Sequence, residues 1–303
     1  MASVTTAVST VEIAEMGTMP KHRSQLSMVL YTLRREPVAM IGFLIVAGWL
    51  LLALIAPILP LEDPNFVQMD RKLQAPSWSH PFGTDDVGRD LVSRVIYASR
   101  VSVPAGILVV AITVVIGCTI GAIAGFAGGK LDTLIMRICD AVLSFPSIIL
   151  AMAIAAARGG PGLSNAMIAV ILVLWPEYAR LMRGQVLTIK ENEFVTAAKS
   201  VGVSGPRVLF RHILPSTDAP IVVKATLDVG AAIVLTAGLS FIGIGAVPPT
   251  AEWGAMVNQG AKIGLQYWWY STFPGLAILT VVMGLNFFGD GLRDALDPRR
   301  RHR

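Results

Sequence analysis

The sequence predicts an all-α, polytopic membrane protein with six membrane-spanning helices. Of its 303 residues, 54% are hydrophobic and 15% are charged, and the mean hydropathy is +0.64. Soluble domains carry roughly 25% charged residues, so this chain is depleted in charge. The apolar residues come in long uncharged blocks and do not alternate with polar ones, as a half-buried soluble element would require.

The uncharged blocks have the length that a bilayer demands. A helix needs about 20 mainly apolar residues to cross the hydrocarbon core, and its backbone groups must be hydrogen-bonded within the segment. Four blocks are long enough alone, whereas the third and fourth must extend into residues 132–140 and 177–182. The six blocks are 37–61, 101–129, 141–157, 159–176, 229–251 and 263–289.

Charge predicts the orientation and the division of the chain. If the polar stretch 183–218 is a cytoplasmic loop, both termini and most of the 25 lysines and arginines lie on the cytoplasmic side, as the positive-inside rule requires. The sequence then predicts a cytoplasmic tail at 1–36, a six-helix domain at 37–298 with an external loop at 62–100, and a basic cytoplasmic end at 299–303. Residues 1–28 lack an apolar core, so no signal peptide is expected.

Composition and motifs argue against an enzyme, a metalloprotein and a nucleic-acid binder. The segment GFAGGK fails as a phosphate loop because Ala124 replaces the required glycine and Leu131 the required serine or threonine. The four histidines are scattered, and Cys118 and Cys139 have no metal spacing and are expected to pack. No metal or other cofactor is therefore expected, and the net charge of +5 indicates anionic lipid headgroups as a partner in place of nucleic acid.

Five ionisable residues fall near the cytoplasmic ends of the predicted spans. Their spacings of three and four predict helix-face pairs between Glu177 and Arg180 and between Lys224 and Asp228. The alternative is a proton or ion pathway, although the uncharged middle of every span argues against a proton-coupled carrier. No substrate-binding residue follows from either interpretation. The five residues are Asp140, Glu177, Arg180, Lys224 and Asp228.

The second block carries glycines at a spacing of four, which places them on one helix face that another helix can approach closely. They are Gly117, Gly121, Gly125 and Gly129.

The predicted external loop contains a turn followed by an amphipathic helix. Residues 83–85 predict the turn, and Thr84 or Asp85 is a candidate cap for the helix. The helix is expected to lie along the membrane surface with an apolar stripe, formed by Leu91, Val95 and Ile96. Asp85, Asp86 and Asp90 are interspersed with arginines, which predicts salt bridges and not a metal site.

The cytoplasmic loop is predicted to form two short helices around a turn. Gly202 ends the first helix, Ser204 and Pro206 begin the second, and Pro215 closes it. The first helix carries its apolar residues on one face, Phe194, Ala197, Ala198 and Val201. The second carries Leu209 and Ile213 on one side. This loop either docks in a groove of a cytoplasmic partner or packs on its own spans.

At this point the loop resembles the coupling loop of binding-protein-dependent ABC importer permeases. That motif is Glu-Ala-Ala, three residues, Gly, nine residues, and Ile-x-Leu-Pro. Here Thr196 replaces the Glu and the Ile lies one place later, at Ile213. The matching positions, which the resemblance implies contact an ATPase, are Thr196, Ala197, Ala198, Gly202, Leu214 and Pro215.

The resemblance extends from about residue 25 to the end. HPFGTDDVGRDLVSRVIYASRVS, AEWGAMV and FPGLAILTVVMGLNFFGDGLRDALDP are similar to segments of the C-type permease subunit of the dipeptide/oligopeptide subfamily. It implies a type I importer fold in a bacterial cytoplasmic membrane, with a homologous second permease, two cytoplasmic ATPase subunits and an external solute-binding protein as partners. It implies peptides as substrates, with a nickel chelate, glutathione or an opine as alternatives. A secondary carrier and a structural or signalling membrane protein are the rival classes.

Overall fold

The structure, a computed structural model, describes residues 36–296. The predicted tail before Glu36 and the predicted basic end at 299–303 therefore lie outside the described residues. Within 36–296 the chain is helical, apart from loops and one isolated β-bridge between Thr84 and Asp90, and the predicted all-α class is confirmed. The helices are α1 (Pro37–Ile55), α2 (Leu91–Ala127), α3 (Gly129–Leu143), α4 (Ser147–Ala157), α5 (Leu163–Lys190), α6 (Glu193–Ser200), α7 (Gly205–Val208), α8 (Asp218–Ile242), α9 (Trp253–Ile263) and α10 (Trp268–Leu296).

Five helical segments are long and apolar enough to cross a membrane, and a bent pair of helices brings the number to six if the pair forms one span. The five are α1, α2, α5, α8 and the segment 265–296, which contains α10. That pair is α3 and α4, which are bent by 95° at a short break. The expectation of one continuous third span is wrong. Pro146 lies in the break, where it disfavours helical conformation at the preceding residue and provides no N–H.

The connecting segments gather at two opposite ends of the helices. At one end the indole of Trp269 donates to the carbonyl of Thr84 (3.4 Å), and the Tyr270 hydroxyl donates to Asp86 (3.0 Å). At the other end Lys190, the last residue of α5, donates to the carbonyl of Phe126 near the end of α2 (3.0 Å). The predicted external and cytoplasmic loops therefore lie at different ends.

The helix ends differ from the predicted ones. Helix α5 continues to Lys190 and α8 begins at Asp218, so the loop predicted at 183–218 comprises only residues 191–217. Helix α8 ends at Ile242, and the remainder of the predicted block 229–251 is irregular.

The predicted surface helix of the external loop is the beginning of α2. Leu91 and Val95 are buried, with 0% and 2% of their surface exposed. They pack in a cluster with Trp253 and Met256 of the short helix α9. The interpretation of this stripe as a membrane-surface helix is therefore wrong, because α9 covers it.

Asp90, and not Thr84 or Asp85, caps α2. Its carboxylate accepts a hydrogen bond from the backbone N–H of Ser93 (2.8 Å), and its other oxygen lies 3.0 Å from Nδ1 of His80. This satisfies one of the otherwise unpaired N–H groups at the helix start.

The salt bridges predicted with arginines are confirmed for Asp85 and Asp86, whereas Asp90 pairs with His80. The buried Asp85 carboxylate accepts a hydrogen bond from Arg89 Nε (2.5 Å) and lies 3.6 Å from Arg94 Nε. Arg94 is fully buried and also donates to the carbonyl of Pro64 (2.8 Å). The loop that precedes α2 is thus fastened to the start of that helix by buried charge.

Three of the four glycines predicted to share a packing face do so. An added Cβ at Gly117 would lie 2.5 Å from the Cβ of Tyr178, and one at Gly125 would lie 3.0 Å from the carbonyl of Arg183. Gly121 meets the backbone of Ala179 between them. Gly129 instead begins α3, so the close contact joins α2 to α5 along these three positions.

The proposed orientation can be tested by labelling single cysteines. Ser77 and Ser204 are both exposed and lie at opposite ends. In a variant without Cys118 and Cys139, we expect an impermeant maleimide added outside intact cells to modify Ser77→Cys and to spare Ser204→Cys. Permeabilised cells provide the control for reactivity, and labelling of Ser204→Cys alone from outside would reverse the topology.

The buried Asp85 is expected to stabilise the external end far more than an exposed acid does. Asp85→Asn leaves the buried Arg94 without its carboxylate, and removing one partner of a buried pair costs about 3–5 kcal/mol. We therefore expect a clearly lower thermal unfolding midpoint in detergent. Glu62→Gln is the matched control, because its pair with Arg71 is exposed and should contribute about 0–1 kcal/mol. Equal midpoints for the two variants would contradict this.

Candidate functional site

The loop of residues 191–217 has one buried side and one exposed side. Val195 in α6, Val208 in α7 and Ile213 are all fully buried. They belong to one cluster with Val186 of α5 and Ile221 of α8. The inner side of the loop is therefore part of the apolar core at this end of the helices.

The outer side of the loop exposes large apolar side chains. Phe194 is 45% exposed, Val201 79% and Phe210 62%. Ala197 is also exposed, whereas Ala198 is half-buried and packs against the inner cluster. The four-residue face predicted for the first helix is therefore divided, with Ala198 turned inward.

Gly202 ends α6 as predicted, in a Schellman motif. Its N–H donates to the carbonyl of Lys199 (3.0 Å), and the N–H of Val203 donates to the carbonyl of Ala198 (3.1 Å). Gly202 has a φ of +82°, which side-chain-bearing residues adopt at a cost. An added Cβ would meet no atom within 4 Å, so backbone conformation alone favours glycine in the isolated chain.

The predicted second helix is a series of short turns. After α7, residues Leu209–Ile213 form a π-helical turn and Leu214–Ser216 a 3₁₀ turn, with α8 beginning at Asp218. Leu209 and Ile213 lie on one buried side, as predicted. Sequence analysis missed Phe210. Its position next to Leu209 is the signal that could have found it, because adjacent residues of a helical turn point in different directions.

The six residues matched to the family motif do not form one surface. Ala198 and Leu214 are partly buried against the inner cluster. The exposed members are Thr196, Ala197, Gly202 and Pro215.

The five charged residues near the ends of the spans form three ion pairs, two of them between helices. Glu177 pairs with Lys224 (2.8 Å), and Lys224 also pairs with Asp228 (3.0 Å), as predicted for the latter. The predicted pair between Glu177 and Arg180 is wrong, because Arg180 instead reaches Asp140 of α3. These pairs connect α5 to α8 and to α3.

An open cleft of about 450 Å³ lies at the end opposite the 191–217 loop, near the start of α2. Its lining residues are Pro64, Asn65, Tyr97, Arg100, Val101, Pro249, Thr250 and Ala251. Among residues 36–296, no three histidine, cysteine or acidic side chains are grouped so that they could hold a metal ion.

Two family models match the chain. The model described as binding-protein-dependent transport system inner membrane component covers residues 117–302. The model described as N-terminal TM domain of oligopeptide transport permease C covers residues 24–76.

Several relatives are similar along nearly their whole length. The chain is 46% identical to the "Probable D,D-dipeptide transport system permease protein DdpC" of Escherichia coli (strain K12), over 89% of this chain and 91% of the relative. It is 44% identical to the dipeptide transport system permease protein DppC of Alkalihalophilus pseudofirmus, over 89% and 88%. It is 43% identical to the glutathione transport system permease protein GsiD of Escherichia coli O6:K15:H31, over 88% of each.

A solved structure supports the fold. A chain of the MetNI methionine ABC transporter, in inward-facing conformations, aligns with a TM-score of 0.52 at 19% identity, over 67% of this chain and 98% of that chain. This likeness concerns the fold alone, and it agrees with the type I importer fold that the sequence predicted. The chain therefore belongs to the family of inner-membrane components of binding-protein-dependent transport systems, the permeases of ABC importers.

Proposed function

We propose that this chain is one permease subunit of an importer for dipeptide-class peptides, and that residues 191–217 receive the force of its ATPase subunits. The observation that carries the proposal is the two-sided construction of this loop. One side is buried against the ends of the spans. The other side exposes large apolar side chains at the surface of the chain.

The inner side allows the loop to move the spans. Val195, Val208 and Ile213 are each fully buried, and burial of a side chain of this kind contributes about 1.5–3 kcal/mol. The cluster includes Val186 of α5 and Ile221 of α8. A force on the loop therefore displaces the ends of α5 and α8 and does not simply bend the loop.

The outer side has the character of a docking surface. Phe194, Val201 and Phe210 are large, apolar and exposed on short helical segments, and exposed apolar patches mark interaction sites. A short amphipathic helix seated in a groove is a recurring mode of protein recognition. In this proposal the groove belongs to a cytoplasmic ATPase subunit, and the outer side of the loop binds in it.

The complete importer in this proposal contains a homologous second permease, two cytoplasmic ATPases and an external solute-binding protein. ATP binding closes the ATPases, and the loops carry that motion into the spans, which alternate between inward-facing and outward-facing arrangements. The domain limits 37–298 and cytoplasmic termini are part of the proposal. They are supported by the charge distribution and by the loops lying at opposite ends.

The substrate class is inferred from the relatives. Two of them are named for dipeptides, one of these for D,D-dipeptides, and a third for glutathione. We favour dipeptides, because the two relatives with the higher identity carry that name. Glutathione is the second candidate on the strength of the third relative.

Replacing an outer apolar residue with aspartate should prevent ATPase docking. An unpaired carboxylate in a protein groove is costly, and loss of a buried Phe or Val contact removes about 1.5–3 kcal/mol, or roughly tenfold or more in affinity. We therefore expect Val201→Asp and Phe210→Asp to reach the membrane in normal amounts but to co-purify with little ATPase subunit. Trp78→Asp, a fully exposed external position, is the control. Normal ATPase recovery with both loop variants would remove this surface from the proposal.

The substrate class can be tested by competition. With the chain, its partner permease, both ATPases and the cognate binding protein in liposomes, we expect ATP-dependent uptake of labelled L-dialanine or D-dialanine. Unlabelled dialanine of the same chirality should compete far better than glutathione. Preferential competition by glutathione would favour the second candidate, and competition by neither would contradict a peptide substrate.

A further inference from the structure

Two arginine–aspartate pairs fasten α3 to the cytoplasmic half of α5. Arg183 donates from Nε to Asp132 Oδ1 (2.5 Å) and from Nη2 to Oδ2 (2.6 Å). Arg180 donates to Asp140 at the other end of α3 (2.5 Å). The pair at Asp132 is bidentate, which fixes direction as well as distance.

The pair at Asp132 is the better shielded of the two. The Asp132 side chain is 14% exposed and that of Arg183 is 33%, whereas Asp140 and Arg180 are 56% and 46% exposed. Exposed ion pairs contribute little because water screens them. Asp132–Arg183 is therefore the stronger candidate for a lasting connection.

Little apolar packing holds α3 in place. Cys139 is its one buried residue. Three of its large apolar side chains are exposed, Leu131 by 45%, Leu134 by 60% and Ile138 by 47%. The two ion pairs are therefore a large part of what holds α3 against α5.

The two helices that the Asp132–Arg183 pair joins contact different parts of the protein. Arg183 belongs to the stretch of α5 whose Met182 and Val186 are buried in the cluster that holds the 191–217 loop. Helix α3 leads through its 95° break into α4, whose Ala151 and Ala155 are buried in the central core.

We propose that Asp132 and Arg183 form a mechanical link that makes the bent third span follow the ATPase-driven loop. Movement of the loop displaces the end of α5, and the bidentate pair carries α3 with it, which changes the angle at the break before α4. The two residues position α3 and are not assigned any contact with substrate. This inference rests on the proposed coupling role of the 191–217 loop.

The test uses the assembled importer in liposomes, with L-dialanine and D-dialanine as probes. Asp132→Asn and Arg183→Gln should assemble with ATPase subunits and hydrolyse ATP at near wild-type rates. Their uptake should fall by about fivefold or more, the lower range of typical coupling between sites. The charge-exchanged variant, Asp132→Arg with Arg183→Asp, should recover most of the uptake. Glu62→Gln, which breaks an exposed external pair, should behave as wild type.

A loss of uptake that the exchanged pair fails to recover would overturn the link. So would unchanged uptake in the single variants, or loss of the protein from the membrane, which would assign the pair to folding. Failure of the proposed function looks different, because Val201→Asp and Phe210→Asp would then retain their ATPase subunits.

A distance measurement tests the link without any substrate. Spin labels at Leu134 in α3 and Leu279 in α10, both exposed, should change separation in the wild-type complex when ATP and vanadate are added. In a background without Cys118 and Cys139, Asp132→Asn should abolish that change while the ATPases remain bound. An equal change with Asp132→Asn would overturn the proposal.

Discussion

Helices α2 and α5 lie against each other along the face where Gly117, Gly121 and Gly125 carry no side chain. In a bilayer the lipid is as apolar as the helices, so close packing of this kind is a principal source of helix association. Because α2 begins at the buried charges around Asp85 and α5 reaches the 191–217 loop, this contact joins the two ends of the molecule.

The two ends differ in how they are held. The external end is fastened by buried charge, with Asp85 between Arg89 and Arg94 and with Asp90 capping α2. Such groups tolerate little displacement, because an unpaired buried charge is costly. The opposite end is held by an apolar cluster and by the more exposed ion pairs of Asp140 and Glu177, whose partners can shift at lower cost. The 191–217 loop, which we propose receives the force of the ATPases, thus lies at the end whose contacts can rearrange at lower free-energy cost.

The bent third span, formed by α3 and α4, is the element in which this contrast between the two ends matters most. Pro146 interrupts it, and α3 has little of its surface buried. A broken, weakly packed helix has more than one low-cost arrangement, which is the property required of a moving part. The bidentate contact between Asp132 and Arg183 then determines which neighbour it follows.

The sequence by itself determined the all-α membrane class, the five long apolar spans and the end of α6. Each apolar segment must satisfy its own backbone hydrogen bonds in lipid, so its sequence alone predicts a spanning helix. Gly202 ends α6 through its own backbone conformation, so that prediction does not depend on distant contacts either. The tertiary structure alone decided that Glu177 pairs with Lys224 and not with Arg180, that Ala198 faces inward while Phe210 faces outward, and that α9 covers the stripe beginning at Leu91. These outcomes depend on which helix lies beside which, and residues far apart in the chain make those contacts, so local spacing could not reveal them.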